Sequence, residues 1–266
     1  MFLSSQAFGH GALDEQIKAV SARIKMDSVN TKLYVKRGQL YVKHEEFQAA
    51  IKDYQKARRL QFDLHITDLL LAQLYVQTKE LQTALIYANT FLEHNPTHIS
   101  ALITRAGIYQ ELGQGVAFQS DLESALHLLK EPNPGHYTDI ADAVLLADGS
   151  NFEEAIIWLK KGQQKFGFDI VLKSKEIELH QQAKQYDQAI LVIDSILEKM
   201  QRKEKWLFQK ALMYQKTENR TLAKAYYEAT LNAIQQLPKR LQGTTSMLEL
   251  EIQAIENIAL LNRDYD

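Results

Sequence analysis

The sequence predicts an all-α fold made of repeated helix–turn–helix pairs, on three observations. Helix breakers are scarce, with 4 prolines and 11 glycines in 266 residues, against many Ala, Leu, Gln, Lys and Glu, which cost little in a helix. Small residues recur at a spacing of 34, a period that marks stacked helical units. Apolar residues at helical spacing continue beyond the repeats at both ends.

The elements follow in order. Leu13, Ile17, Val20 and Ile24 form a helical stripe where the second helix of a preceding repeat would lie, so 10–30 reads as an N-terminal half-repeat. Repeats then start at Thr31, His65 and Ile99. EPNPG at 131–135 is assigned a three-residue insertion, after which repeats start at His136, Ile170 and Glu204. Position 8 of the repeat is Gly38, Ala72, Ala106, Ala143, Ile177 and Ala211; position 20 is Ala50, Ala84, Phe118, Ala155, Ala189 and Ala223. Small residues at these two positions let the axes of a helix pair come close. In the third repeat Phe118 breaks the rule, and its ring is expected to fill the volume left by Gly115 at position 17. After Pro238, Leu241, Leu248, Ile252, Ile255 and Ala259 form one face of a capping helix over the last repeat, within 238–266, which Gly243 alone could interrupt.

Tyr34-x2-Arg37-Gly38-x2-Tyr41 followed by Ala50-x3-Tyr54 resembles the tetratricopeptide repeat. The resemblance covers about 31–237, without Trp at position 4 and with one Pro, Pro96, at position 32. It implies a right-handed superhelical solenoid, a single domain over 10–266, and a protein–protein interaction scaffold or assembly adaptor. By the same resemblance the first helices line a concave groove with positions 2, 5, 9 and 12. Here those positions include Lys32, Val35 and Gln39, then Ile66, Leu69 and Gln73, then Ile103, then Tyr137, Ile140 and Val144. The expected partner is a peptide or helix held on an apolar surface. The family's clamp for chaperone C-terminal tails would need Lys, Asn, Asn, Lys and Arg where this chain has Val35, Gln39, Leu70, Ser100 and Thr104, so chaperone tails are disfavoured.

Net charge is −2, which offers no global attraction for nucleic acid. There is no cysteine, hence no disulfide, thiolate metal site or Cys nucleophile. No P-loop, nucleophile elbow or dinucleotide fingerprint occurs. No cofactor, metal or catalytic residue is expected, and the chain reads as a binding protein without enzymatic activity. His44-Glu45-Glu46 reads as a turn, and His94 and His98 are separated by Pro96. The rival reading is an enzyme on a helical array, with His136, Asp139 and Asp142, near Asp148, as its site. A third reading is self-association through the apolar groove.

No apolar run approaches the roughly 18 residues of a membrane span. Residues 1–9 read either as a disordered tail or as the remnant of an export signal, with Ala7-Phe8-Gly9 placing cleavage before His10. The first leaves the address open between cytoplasm and export; the second makes the chain periplasmic or secreted. Cleavage there would also expose an amine beside His10, a pair able to chelate copper.

Overall fold

The computed structural model describes residues 4–60 and 64–263, with side chains from 11–60 and 66–263. The described residues are helical, without a strand. The helices are α1 (Ser4–Met26), α2 (Thr31–Lys43), α3 (Phe47–Arg59), α4 (Leu64–Gln77), α5 (Leu81–His94), α6 (Ile99–Glu111), α7 (Gly115–Leu128), α8 (Pro134–Ala147), α9 (Phe152–Phe166), α10 (Ile170–Gln182), α11 (Tyr186–Lys199), α12 (Glu204–Lys216), α13 (Arg220–Gln235), α14 (Lys239–Gln242) and α15 (Thr245–Arg263). They form two compact halves, Met1–Pro132 and Asn133–Asp266, with three helix pairs in each.

The helices begin where the 34-residue frame puts them: α2, α6, α10 and α12 at position 1, and all six second helices at position 17. The turns explain the regularity. Position 15 is left-handed in five repeats, at Glu45, Lys79, Gly113, Lys184 and Glu218. The next amide donates back to the carbonyl at position 11, as in Glu46 N to Tyr41 O at 2.9 Å and Asn219 N to Tyr214 O at 2.9 Å. This closes each first helix with the left-handed cap that glycine favours, although four of the five residues are not glycine. His44-Glu45-Glu46 is therefore a turn, with His44 also placed between Glu46 (3.0 Å) and Asp14 of α1 (3.4 Å).

Repeat 4 departs from the expected frame. Its helix α8 starts at Pro134, and its turn to α9 has four residues, 148–151, with no left-handed residue among them. Asp148 organises that turn instead, accepting from the Ser150 amide at 3.0 Å and hydroxyl at 2.7 Å, bonds that lower its pKa. The inserted residues are thus divided: one precedes α8 and two lie between its start and α9. Counted from Pro134, Tyr137, Ala141 and Val144 fall at positions 4, 8 and 11, matching Tyr34, Gly38 and Tyr41.

Position 20 is buried throughout, and Phe118 is turned into the core. Gly38 has a more specific partner than expected. A Cβ there would meet the ring of Tyr54, 2.7 Å from Cδ1 and closer still to Cε1, so Gly38 makes room for position 24 rather than for Ala50. Polar bonds at position 7 join successive repeats. Arg37 makes two 2.7 Å bonds to Asp53 and reaches Ser21 of α1 at 3.0 Å. Arg105 repeats this with Asp121 at 2.7 Å and Asn89 at 2.9 Å, and Lys210 pairs with Asp194. Arg58 on α3 donates to the buried Asp68 of α4 at 2.6 Å, which explains an aspartate at position 4 where an apolar residue is usual.

At the ends, α1 packs on α2 through Ile17, Val20 and Ile24 as expected. It begins at Ser4 and so takes in most of the stretch expected as a tail; residues 1–3 and the side chain of His10 lie outside the described residues. The C-terminal helix is interrupted at Gly243, giving α14 and α15. The face α15 buries on α12 and α13 is Leu250, Ala254, Ile258 and Leu261, not the expected stripe of Leu248, Ile252, Ile255 and Ala259, which is exposed. The helix is apolar on two sides, and position 248 alone could not say which side packs.

Candidate protein-binding surface

In the first half, α2, α4 and α6 are the first helices of repeats 1–3. Their buried sides hold positions 3, 4, 8 and 10, such as Leu33, Tyr34, Gly38 and Leu40, which leaves positions 2, 5 and 9 on the other side by the 3.6-residue period. Lys32 and Gln39 are exposed on α2, with Val35 half-buried. On α4, Ile66 is 47% exposed beside the half-buried Leu69 and Gln73. On α6, Ile103 is 45% exposed, and a Cβ on Gly107 one turn later would meet nothing within 4 Å. Isoleucines left open on neighbouring helices, next to an unfilled position, form an apolar surface with room for a side chain from elsewhere. Its flank near the turns is tied by Lys79 to Glu111 at 2.8 Å.

In the second half the expected groove residues are corrected. Tyr137, Ile140 and Val144 are buried, Ile140 at 0% exposure. The physical reason is the divided insertion: a two-residue shift turns a helix by about 200° and exchanges its inner and outer faces. In the observed frame the outward positions are Gly135, Thr138, Asp142 and Leu145. Thr138 and Asp142 indeed line a cleft of 410 Å³ with Val171, Ser174, Lys175 and Glu178. Lys175 stands between Asp142 at 2.8 Å and Glu178 at 2.9 Å. Burial lowers the pKa of its amine, but these two carboxylates raise it by more. This cleft mixes charged and hydroxyl side chains with Ile170 and Val171, where the sequence suggested a continuous apolar strip.

Of the residues of the enzyme reading, Asp142 lines that cleft, and His136 and Asp139 do not. His136 Nδ1 accepts from the Asn133 amide at 3.0 Å and so caps α8. Asp142 is held by Lys175, and Asp139 is exposed. Desolvation raises the Asp139 pKa, with His136 opposing and Asp142 adding to the rise. Neither aspartate lies in the first turn of α8, where a carboxylate would offset the helix dipole. His98 caps α6 by accepting from Ala101 N at 3.2 Å, and His94 Nδ1 lies 3.1 Å from the Thr90 carbonyl within α5. Among the described residues no group of three His, Asp or Glu could hold a metal ion, and no helix is long and apolar enough to cross a membrane.

Helix pairs at a 34-residue period, closed by one recurring turn, define an array of tetratricopeptide-repeat class. A family model described as tetratricopeptide repeat matches residues 31–63, which is repeat 1. The chain is similar to a tetratricopeptide repeat protein from Parabacteroides merdae, at 16% identity over 92% of this chain and 93% of that one, with a TM-score of 0.53. It is similar to the C-terminal part of a TPR repeat-containing protein from Cytophaga hutchinsonii, at 12% identity over 88% and 95%, with a TM-score of 0.61. It is also similar to a chain of the structure of Naa15/Naa10 bound to HypK-THB, at 16% identity over 96% of this chain and 44% of that one, with a TM-score of 0.56. No curated protein matches the chain. The fold is that of the tetratricopeptide-repeat proteins, a fold consistent with a protein–protein interaction scaffold.

Proposed function

We propose that the chain is a binding scaffold that takes a peptide or helix of a partner protein on α2, α4 and α6, without catalysis of its own. The observation that carries the reading is the pair Ile66 and Ile103, each left nearly half exposed on neighbouring first helices, beside the open position at Gly107. Val35 and Leu69 extend the apolar strip, and Lys32, Gln39 and Gln73 provide polar contacts along it. The cleft of the second half has its charged Asp142–Lys175–Glu178 cluster beside Ile170 and Val171, which makes it the poorer site for an apolar segment.

The test uses peptides selected from a random displayed library against the whole chain. Selected peptides should be rich in Leu, Ile or aromatic residues. Ile66→Asp with Ile103→Asp should weaken their binding by about 2–4 kcal/mol, as loss of a central apolar anchor does, without moving the thermal midpoint. Unchanged affinity in the double variant would refute the site.

A further inference from the structure

The C-terminal helix α15 stands where the first helix of a seventh repeat would stand. It packs on α13 and, more lightly, on α12, as α6 packs on α5 and α4 and as α10 packs on α9 and α8. Within a complete repeat the first helix uses two stripes. In α10, Leu172 and Glu176 touch α9 of the preceding repeat, through Gly162 and Gln163, while Ile177 joins the core with α11 of its own repeat. At 100° per residue, the second stripe lies about 120° around the helix from the first. In α15, Leu248, Ile252, Ile255 and Ala259 lie on average about 130° from the buried Ala254, in the same sense. The exposed stripe is therefore the face on which a second helix would pack, and it is apolar, with Leu248 46%, Ile252 55% and Ile255 52% exposed. Two glutamates, Glu249 and Glu256, border it on one side and Glu251 on the other; among the described residues none of the three is in an ion pair or side-chain hydrogen bond. Two bases stand at its C-terminal end, Arg263 and Lys224 of α13, the latter already donating to Asn262 at 3.0 Å.

We propose that this face docks a basic amphipathic helix of another protein, which takes the place that a second helix has on the first helix of a complete repeat. Its apolar residues would cover Leu248, Ile252 and Ile255, and its flanking Lys or Arg residues would meet the three glutamates. A second copy fits less well in either arrangement. Antiparallel pairing of two α15 helices sets glutamate against glutamate. Head-to-tail stacking would bring in α1 of a copy, which stands ahead of repeat 1 in the place of a second helix. At positions 20 and 27, where α3 has the fully buried Ala50 and Ala57, α1 has the exposed Gln16 and Arg23, which hold a partner helix at a distance.

The experiment uses the whole chain and two synthetic helical peptides of about 18 residues, long enough to span the stripe. They share one Leu/Ala face and differ in flanks, Lys in one and Glu in the other. The Lys-flanked peptide should bind about tenfold or more tighter, and Ile252→Asp with Ile255→Asp should weaken it about tenfold or more, with an unchanged thermal midpoint. Glu249→Lys with Glu256→Lys should reverse the preference between the peptides. Ile66→Asp with Ile103→Asp, on the other surface, should leave binding as it was. Equal binding of the two peptides, indifference to the Ile252/Ile255 pair, or loss of binding in the Ile66/Ile103 pair would each overturn the proposal. So would a dimer of the chain, seen by sedimentation, that the Ile252/Ile255 substitutions dissolve, since the occupant would then be a second copy.

Discussion

Substituting Gly38→Ala should destabilise the chain even though alanine is the better helix former. The added methyl would stand 2.7 Å from Tyr54 Cδ1 and closer to Cε1, against the 3.5–4.0 Å at which carbon atoms rest. The ring would have to retreat by about 1 Å, and it is 2% exposed in a packed core. Overpacking of this kind costs about 1–3 kcal/mol, and the severity of the overlap places it in the upper half. The helix-propensity gain of Gly to Ala, about 1 kcal/mol, offsets part, leaving a net loss of about 1–2 kcal/mol. Repeat 6 has Ala211 and Tyr227 at these same two positions, so it is the placement of the ring in repeat 1, not the pair of residue types, that decides the cost. The assay is urea unfolding followed by circular dichroism for the parent, Gly38→Ala, Tyr54→Leu and the double variant. With Tyr54 replaced by leucine the clash is gone, and Gly38→Ala should become stabilising by up to about 1 kcal/mol. A Gly38→Ala effect of the same sign in both backgrounds would refute the steric reasoning.

Asp53→Ala should cost about 3 kcal/mol in urea unfolding, because it strands the largely buried Arg37 guanidinium, while Arg37→Met with Asp53→Leu should recover most of the loss. Glu45→Gly should stabilise by about 1 kcal/mol, since its left-handed φ of 62° strains any residue with a Cβ, and a lowered thermal midpoint would contradict that account. Ile140→Asp should collapse the cooperative unfolding of the chain, whereas Asp142→Ala, two residues on, should shift its midpoint little; equal effects would restore the expected frame of repeat 4. Burial pushes the phenols of Tyr54 and Tyr227 up to about 12. The unfolded chain then loses these protons first, so their contribution is intact below about pH 10 and is lost as pH rises from 10 toward 12; phenolate absorbance titrated beside the unfolding midpoint checks it.

The repeats were legible because each residue choice follows from contact with a neighbouring helix, and the same contact recurs. Ala84, Ala155, Ala189 and Ala223 are fully buried at the one position where alanine is needed. The outward surface was less legible, since side chains there meet no such repeated constraint. Repeat 4 shows how the reading failed: the proline-rich segment drew the whole insertion, while the Asp148–Ser150 bonds that absorb part of it leave only a common dipeptide pattern. The signal that could have found it was Tyr137-x3-Ala141-x2-Val144, which repeats the spacing of Tyr34, Gly38 and Tyr41. The Arg37–Asp53 and Arg105–Asp121 pairs were visible only as charges at equivalent places. On α15 two apolar stripes competed, and packing on α13 decided between them.

The position-7 arginines also bear on how the first half can bend. A bidentate guanidinium–carboxylate bond is directional, whereas apolar packing tolerates sliding. Arg37 rivets α1, α2 and α3 into one stiff block, and Arg105 does the same for α5, α6 and α7. The seam between α3 and α4 is bridged by Arg58, whose side chain is 41% exposed and thus weakened by water, and by the 3.2 Å bond of Gln55 to the Tyr75 hydroxyl. Of the three guanidinium–carboxylate ties in this half, this one has the most exposed guanidinium, so bending is expected there first. Bending there would change the spacing between Val35 on α2 and Leu69 on α4, and so the width of the strip that carries Ile66, with both flanking blocks keeping their shape.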